Sequence, residues 1–179
     1  MPELTSSEPS AGHSIRTVAE ADLADLVPLM RAYCDFYCVA PGDQALLALS
    51  RALLGDPQRE GLQLIARDAD ATAVGFATIF WSWSTTAATR IGIMHDLYVS
   101  PDARGLGVAE RLIRACVERC AERGASRLEW QTAPDNLRAQ AVYDRVGAVR
   151  EQWLSYAIAI AAEGTAKRHR RARAPEDAR

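Results

Sequence analysis

The stretch TRIGIMHDLYVSPDARGLGVA, which spans residues 89–109, carries the most informative pattern in this chain. Residues 89–99 are rich in branched and aromatic side chains, a composition that is typical of a strand. Pro101 ends that run, and a turn with two glycines at residues 104–107 leads into a segment with helical spacing. Glycines let a backbone approach a bulky anion closely, and the start of a helix turns unpaired N–H groups toward it. The stretch therefore predicts a phosphate-binding turn between a strand and a helix.

Two common phosphate-binding patterns do not fit this turn. The Walker sequence Gly-x4-Gly-Lys-Ser/Thr is absent, and the dinucleotide pattern Gly-x-Gly-x-x-Gly fails because position 110 is Glu. A Gly-x-Gly turn taken alone is equally compatible with a tight connection that binds nothing. Its meaning therefore depends on the segments around it.

The rest of the chain divides into further strand-like and helix-like segments without internal repeats. Apart from 89–99, strands are predicted at 13–18, 63–67, 73–84, 127–132 and 153–160, and helices at 20–37, 44–54, 108–123 and 136–146. Pro28 lies inside the first helical pattern and predicts a kink or a division into two pieces. We expect one domain over residues 13–162, between a disordered leader (1–12) and a basic, disordered tail (163–179).

Composition excludes several classes of protein. The chain has 179 residues, of which 49% are hydrophobic and 25% charged, so it is long and apolar enough for one folded domain. No run of about 18 apolar residues is present, which predicts no membrane partner, and the polar, acidic first ten residues predict a cytoplasmic protein. Six of the 21 Lys and Arg residues lie in 167–179. The remaining body is acidic, which argues against nucleic acid as a partner.

The cysteines do not predict a metal site. They form two pairs with four-residue spacing, Cys34/Cys38 and Cys116/Cys120, and the three histidines are scattered at 13, 95 and 169. Zinc sites favour Cys-x2-Cys spacing or nearby histidines. We therefore interpret the cysteines as small apolar residues on buried helix faces and predict neither a metal nor a disulfide.

Two motifs in order suggest a family. The sequence Arg104-x-x-Gly107-x-Ala109, which follows DLYVSP at 96–101, resembles the acetyl-CoA signature of the GNAT superfamily of N-acetyltransferases. In that family the pattern Arg/Gln-x-x-Gly-x-Gly/Ala wraps the pyrophosphate of CoA. The string NLRAQAVY at 136–143, followed by Gly147, resembles the second family motif. The strings at 33–37, 96–99, 128–132 and 136–140 look most like the small fungal histone and D-amino-acid acetyltransferases and their bacterial relatives.

The resemblance implies a fold and a cofactor. The fold is of the α/β (α+β) class, with a central, mixed, mostly antiparallel twisted sheet of about six or seven strands and about four flanking helices. The co-substrate is acetyl-CoA, without a metal. Ala109 takes a position where alanine is tolerated in the family, whereas Ala148 replaces the usual Phe and leaves the CoA side less filled. The implied cofactor-binding residues are Leu97, Tyr98, Val99, Arg104, Gly105, Leu106, Gly107, Val108, Ala109 and Asn136.

The catalytic candidates follow from the chemistry of acetyl transfer, which needs a neutral amine and a proton for the leaving thiolate. By resemblance Tyr143 lies near that thiolate, and a phenol with a pKa of about 10 is able to supply the proton. Asp96 is the first candidate for the base and His95 the second. Each has a structural alternative: Tyr143 as a core aromatic residue, Asp96 as a carboxylate that binds a substrate ammonium or a backbone group, and His95 as a structural histidine.

The acceptor side is the least defined part. In the family the strand with Trp81 and Trp83 lies beside the acceptor cleft, so both are candidates for an aromatic wall, and the alternative is packing against helices or a subunit. Asp35 and His95 are added as substrate candidates. The family builds this pocket from variable loops, here around residues 35–45 and 80–90, so the amine itself is not predicted.

The resemblance thus predicts an acyl-CoA-dependent N-acetyltransferase that acts on a primary amine of a small molecule or peptide by direct attack in a ternary complex. The alternative is a catalytically weak or inactive CoA-binding sensor of the same fold, and an unrelated α/β nucleotide binder is a third. Relatives of this type pair through C-terminal strands. The alternating, apolar segment 153–160 therefore predicts a homodimer, and the alternative is that helix or loop residues of the same chain cover this segment.

Overall fold

A five-stranded sheet with the order β1-β2-β3-β4-β5 forms the centre of the fold. The computed structural model describes residues 12–160. Its strands are β1 Ser14–Thr17, β2 Gly61–Arg67, β3 Ala73–Ser84, β4 Thr89–Val99 and β5 Leu128–Glu129. Its helices are α1 Leu23–Phe36, α2 Asp43–Gly55, α3 Val108–Glu122 and α4 Leu137–Arg145, with 3-10 turns at Glu20–Asp22 and Pro101–Ala103.

The sheet is mixed and mostly antiparallel, as predicted. Strands β1 to β4 pair antiparallel with their sequence neighbours, and β5 pairs parallel with β4. Five strands are assigned in the described residues instead of six or seven. The strand predicted at 127–132 shrinks to Leu128–Glu129, because only those residues pair with β4. The predicted strand at 153–160 is wrong for this structure, which assigns no strand there.

The core lies on both faces of the sheet. Leu64 and Ala66 of β2 pack with the apolar side of α3, and Ile65, between them, packs with Phe76 and the helices α1 and α2. Every residue from 61 to 66 is buried, which explains why β2 has no alternating polar pattern. The sheet therefore packs against α3 on one face and against α1 and α2 on the other.

The first helix is unbroken from Leu23 to Phe36 although Pro28 lies within it. The predicted division into two pieces is therefore wrong. Proline removes one backbone donor from the helical ladder. The face that contains Leu26, Leu29 and Met30 is buried, and this packing stabilises the helix across the missing bond.

The buried carboxylate of Asp22 connects the 3-10 turn before α1 to strands β1 and β2. Asp22 is 1% exposed and forms ion pairs with Arg16 of β1 and with Arg67 of β2, the latter at 2.8 Å. Its Oδ2 also accepts a hydrogen bond from the Ala19 N–H at 2.9 Å. Burial opposes ionisation of Asp22, but the hydrogen bonds from Arg16 and Arg67 outweigh burial and lower its pKa to about 2.

The cysteine prediction is right for α3 and wrong for Cys38. Cys116 and Cys120 are buried and burial raises the pKa of both thiols, which makes them unreactive. Cys34 is partly buried, whereas Cys38 lies beyond the end of α1 and is exposed. All four thiols are free.

Residues 149–160 belong to a second unit, which is described by itself. They have neither helix nor strand, and the apolar side chains of Trp153, Leu154, Tyr156, Ile158 and Ile160 are 82–93% exposed. The predicted disordered leader (apart from Gly12) and tail lie outside the described residues.

Candidate active site

The sheet opens between β4 and β5. These strands pair only at Gly92 with Leu128 and at Ile93 with Glu129, although β4 continues to Val99. Residues 130–132 leave the sheet. A cleft of about 750 Å³ fills the gap between this free edge of β4 and residues 130–132, and it extends to α1, the 104–109 turn and α4.

The free edge of β4 presents backbone groups to the cleft. The N–H of Ser100 donates to Val74 O of β3 at 2.9 Å, so the backbone groups of the alternate residues Leu97 and Val99 point the other way. The Val99 carbonyl accepts a hydrogen bond from Arg104 Nε at 2.9 Å, which fastens the turn to the strand end. The N–H groups of Leu97 and Val99 thus face the cleft, which both residues line.

The turn that follows is shaped for close approach by an anion. Gly105 and Gly107 have φ of +79° and +74°, and a Cβ at either position would meet no atom within 4 Å. The first intrahelical bond of α3 runs from Arg111 N–H to Gly107 O at 3.2 Å, so the N–H groups of Val108 and Ala109 have no acceptor within the helix. Open space above two glycines and a helix N-terminus together fit a diphosphate.

A carboxylate already lies at this helix start. Glu110 Oε1 accepts hydrogen bonds from Arg145 of α4 at 3.0 and 2.6 Å, and both residues line the cleft. Burial disfavours the charged form of Glu110, but its hydrogen bonds with Arg145 and with its own backbone N–H lower its pKa. Arg138, seven residues before Arg145, also lines the cleft. The sequence analysis missed all three residues, and the i, i+7 spacing of the two arginines on one helix was the signal available.

The fourth helix places Asn136 and Tyr143. Asn136 Oδ1 caps α4 by accepting the Ala139 N–H at 3.2 Å. Two turns later Tyr143 packs edge-to-face on Trp130, with ring centroids 5.3 Å apart, and Thr132 lies near its hydroxyl. Burial raises the pKa of Tyr143 above its usual value, which keeps it protonated at neutral pH.

Three aromatic side chains at the end of α1 form the wall of the cleft nearest the α1–α2 loop. Tyr33, Phe36 and Tyr37 all line the cleft, and the Tyr37 ring lies 5.0 Å from that of Tyr33 and 5.1 Å from that of Phe36. Phe36 and Tyr37 remain 63% and 48% exposed. We call these three residues the aromatic wall. Its i, i+3, i+4 spacing on a predicted helix was the signal that would have identified it.

With this geometry in view, comparison with known proteins identifies the family. The model of the acetyltransferase (GNAT) family matches residues 26–148. The chain belongs to the GNAT family. It is 32% identical over 134 residues to the uncharacterized N-acetyltransferase YhfO of Bacillus subtilis, covering 75% of this chain and 88% of YhfO. It is also 31% identical over 109 residues to the D-amino-acid N-acetyltransferase of Saccharomyces cerevisiae, covering 60% of this chain and 66% of that one.

A solved structure shows the same fold. The aminoglycoside N-acetyltransferase AAC(6′)-Iy, in complex with CoA, superposes with a TM-score of 0.73 at 22% identity, over 86% of this chain and 99% of that one. The predicted family and GNAT fold are thus confirmed. The chain is an acyl-CoA-dependent N-acetyltransferase.

Most of the cofactor-binding residues predicted from the GNAT motif come together in this cleft. Its lining includes Leu97, Tyr98, Val99, Arg104, Gly105, Gly107, Val108, Ala109 and Asn136, and also the predicted acid Tyr143. Leu106, between the two glycines, is 60% exposed and does not line the cleft.

A bulge in β4 places the two adjacent candidate bases, His95 and Asp96, in different surroundings. Thr78 pairs with Asp96 and Ile79 with Met94, so His95 is an extra residue in β4. Its side chain is exposed and lines the cleft. Asp96, whose side chain is 17% exposed, does not line the cleft, and its charge acts on Tyr33 and Cys34 of α1. Burial, followed by the charge of Asp96, raises the pKa of Tyr33 well above its usual value.

The structure locates Trp81, Trp83 and Asp35 outside the cleft lining. Trp81 Nε1 donates to the Pro57 carbonyl at 2.9 Å, and its ring lies under the Arg123 guanidinium at 5.2 Å, so it packs as a structural residue. Trp83 is 64% exposed with Arg90 over its ring at 4.7 Å. Asp35 is exposed near the end of α1. These three residues remain acceptor candidates only if substrate reaches beyond the cleft.

Two other findings bear on possible ligands. Across residues 12–160 no three His, Cys, Asp or Glu side chains are close enough together to hold a metal ion. In the same residues no helix is long and apolar enough to cross a membrane.

Proposed function

We propose that this chain transfers the acetyl group of acetyl-CoA to a primary amine of a small molecule or peptide, by direct attack in a ternary complex. The observation that carries the proposal is the cleft itself. It brings the free edge of β4, the two-glycine turn at the start of α3 and the half-buried Tyr143 into one space. Acetyl-CoA supplies a thioester, and the residues of the chain supply binding, polarisation and proton transfer.

In this proposal the 104–109 turn and the free edge of β4 bind different parts of the cofactor. The N–H groups at the start of α3, with Arg104, Arg138 and Arg145 nearby, suit the negative diphosphate. The N–H groups of Leu97 and Val99 suit the neutral part of the cofactor and the thioester carbonyl. A donor held rigidly in a strand polarises that carbonyl without reorganisation, which favours attack by the amine.

Tyr143 serves as the acid in this proposal. As the C–S bond breaks, the electron pair stays on sulfur and the thiolate takes a proton from the Tyr143 hydroxyl. Tyr143 is half-buried and protonated when the thiolate forms, and the phenolate left after the transfer takes a proton from water before the next turnover. Thr132 lines the cleft beside the same hydroxyl and is the neighbouring polar group that would orient it.

The cleft favours His95 over Asp96 as the group that meets the amine. The His95 imidazole lines the cleft, and its Nδ1 is 3.7 Å from Oδ1 of Asp96. We therefore propose that His95 accepts the proton of the substrate ammonium, directly or through water, and that Asp96 stabilises the imidazolium that forms. This reverses the order of preference in the sequence analysis.

The aromatic wall supports an ammonium-bearing acceptor. A protonated amine is attracted to the faces of Tyr and Phe rings, and an apolar side chain also packs well against them. D-amino acids and aminoglycosides, named for the relatives above, both carry amines. We propose that the acceptor amine enters between the aromatic wall and His95.

A thiol-release assay with acetyl-CoA tests the function. The acceptors are D- and L-amino acids, polyamines, aminoglycosides and histone peptides, each with wild type and Tyr143→Phe. Leu49→Ala, at a 38% exposed residue of α2 that does not line the cleft, is the control. Turnover of at least one amine that is lost only in Tyr143→Phe supports the proposal. Tight acetyl-CoA binding with no turnover on any amine would instead indicate the non-catalytic CoA-binding module.

We also propose a cytoplasmic homodimer that pairs through residues 153–160. The support is the exposure of five large apolar side chains in that segment, which a second subunit would cover. The free state of all four thiols suits a reducing compartment. Light scattering tests the assembly: a mass near 19.5 kDa at micromolar concentration would exclude the dimer, and about twice that mass supports it.

A further inference from the structure

A second cavity, of about 290 Å³, lies between β1 and α3. It shares no lining residue with the cleft. Apolar side chains of β1, β2 and α3 form one part of its surface, and charged side chains form the rest. The polar lining consists of His13, Arg111, Arg114, Glu118 and Arg119. We call it the α3–β1 pocket.

Two polar atoms of this pocket lack a partner. Three buried side-chain nitrogen or oxygen atoms among the described residues form no hydrogen bond, and two of them are His13 Nδ1 and Arg119 Nε. The other end of Arg119 is engaged by Glu122, which accepts from Nη1 at 2.8 and 2.6 Å. Buried polar groups are normally paired, and an arginine nitrogen only donates. The missing partner of Arg119 Nε is therefore a hydrogen-bond acceptor.

The charge of the pocket specifies that acceptor further. The side chains of Arg111 and Arg114 line the pocket without a hydrogen bond or salt bridge to another side chain of the described residues, although the charge of Arg114 acts on Glu110, and Glu118 is the single carboxylate in the lining. Three guanidinium groups face Glu118 in the lining and Glu122, which pairs with Arg119, so the pocket keeps an excess of one positive charge. Guanidinium groups favour oxyanions, because their N–H groups match the spacing of two oxygens. The volume equals that of about ten water molecules, ample for a tetrahedral oxyanion.

We propose that the α3–β1 pocket binds a phosphate group. Arg111 and Arg114 neutralise its charge, and Arg119 Nε and the Nδ1 of His13 donate to its oxygens. Two sources share this chemistry. The group belongs either to a separate phosphate-bearing ligand or to the 3′-phosphate of CoA, since α3 carries the cofactor turn at its start and Arg111 one turn later. Only the second source depends on the proposed function.

The test is a titration with inorganic phosphate at constant ionic strength, with chloride as the reference anion. The readout is the NMR signal of the arginine Nε–H groups in the full-length protein. We expect the Arg119 signal to shift and saturate with a Kd of about 1 mM or tighter. Arg111→Gln with Arg114→Gln should weaken binding at least about tenfold. Arg51→Gln with Arg59→Gln removes the same charge outside both cavities and should leave the Kd unchanged.

The outcomes separate the possibilities. No saturable shift of Arg119, or equal weakening in the two double variants, overturns the proposal. If the first double variant does not fold, the single variants serve, each with about threefold weaker binding expected. Phosphate binding that persists under saturating CoA identifies a separate ligand. Binding that CoA abolishes but 3′-dephospho-CoA does not identifies the 3′-phosphate of the cofactor.

Discussion

Replacement of Gly107 by Val tests the cofactor turn most directly, provided that backbone strain is separated from steric blocking. Gly107 has φ of +74°, so any residue with a Cβ is strained there by about 1–2 kcal/mol. Gly124, at the other end of α3, has φ of +65°. A Cβ meets nothing within 4 Å at either position. Gly124→Val is therefore a control with the same strain and no contact with the cleft.

The expected magnitudes differ for stability and for binding. Both variants should lower Tm by similar amounts, about 2–8 °C for a strain of this size. Only Gly107→Val should place a side chain where the diphosphate approaches the turn. Loss of two charge-assisted hydrogen bonds costs about 3 kcal/mol or more, which weakens acetyl-CoA binding by about 10²-fold.

Differential scanning fluorimetry and isothermal titration calorimetry with acetyl-CoA measure the two effects separately. Wild-type affinity in Gly107→Val would refute the assignment of the turn as the diphosphate site. Equal loss of affinity in Gly107→Val and Gly124→Val would show that strain acts through the whole helix and would refute the steric argument.

Three further changes test other parts of the molecule. Tyr143→Phe should lower kcat by about 10²-fold or more while acetyl-CoA binding by calorimetry stays unchanged; an unchanged kcat makes Tyr143 a packing residue. Glu110→Gln removes a carboxylate from the helix start and should tighten acetyl-CoA binding about two- to fivefold; weaker binding contradicts this view of Glu110. Because the pKa of Asp22 falls from 3.8 to about 2 on folding, its charge contributes about 2.5 kcal/mol above pH 4, which disappears as the pH falls through 2. In urea unfolding, Asp22→Asn should be destabilised at pH 6 and approach wild type near pH 2, and a difference independent of pH would contradict the ion-pair argument.

Local sequence patterns predicted the strand and the helix on either side of the 104–107 turn. Strand β4 was predicted with its observed bounds, because a run of branched residues closed by Pro101 needs no distant partner to be recognised. The same holds for the start of α3 after Gly107, whereas α4 begins at Leu137, one residue after its predicted start. The same kind of local pattern gave a wrong end for β5. It extended β5 to 132, because composition does not reveal where pairing with β4 stops.

The sequence analysis named most residues that line the cleft at the 104–109 turn and few of those that line it at α1. A motif of contiguous residues, such as 104–109, folds into a local turn and can be read directly. The sequence analysis named Trp81 and Trp83 as acceptor candidates and did not name the aromatic wall, which lines the cleft. The two-residue spacing places both tryptophans on one face of β3. Trp81 contacts Pro57 and Arg123, which are distant in sequence, so a local pattern does not predict these contacts.

By itself the sequence determined the order of the elements, the glycine turn and the family motif, since each depends on residues close together in the chain. Only the tertiary structure decided that a one-residue bulge in β4 places His95, and not Asp96, in the lining of the cleft. The same is true of the pocket in which residues of β1 meet arginines a hundred positions later. The physical reason is that strand pairing and helix packing are contacts between distant segments, and a shift of one residue in register exchanges the side chains on the two faces of a strand.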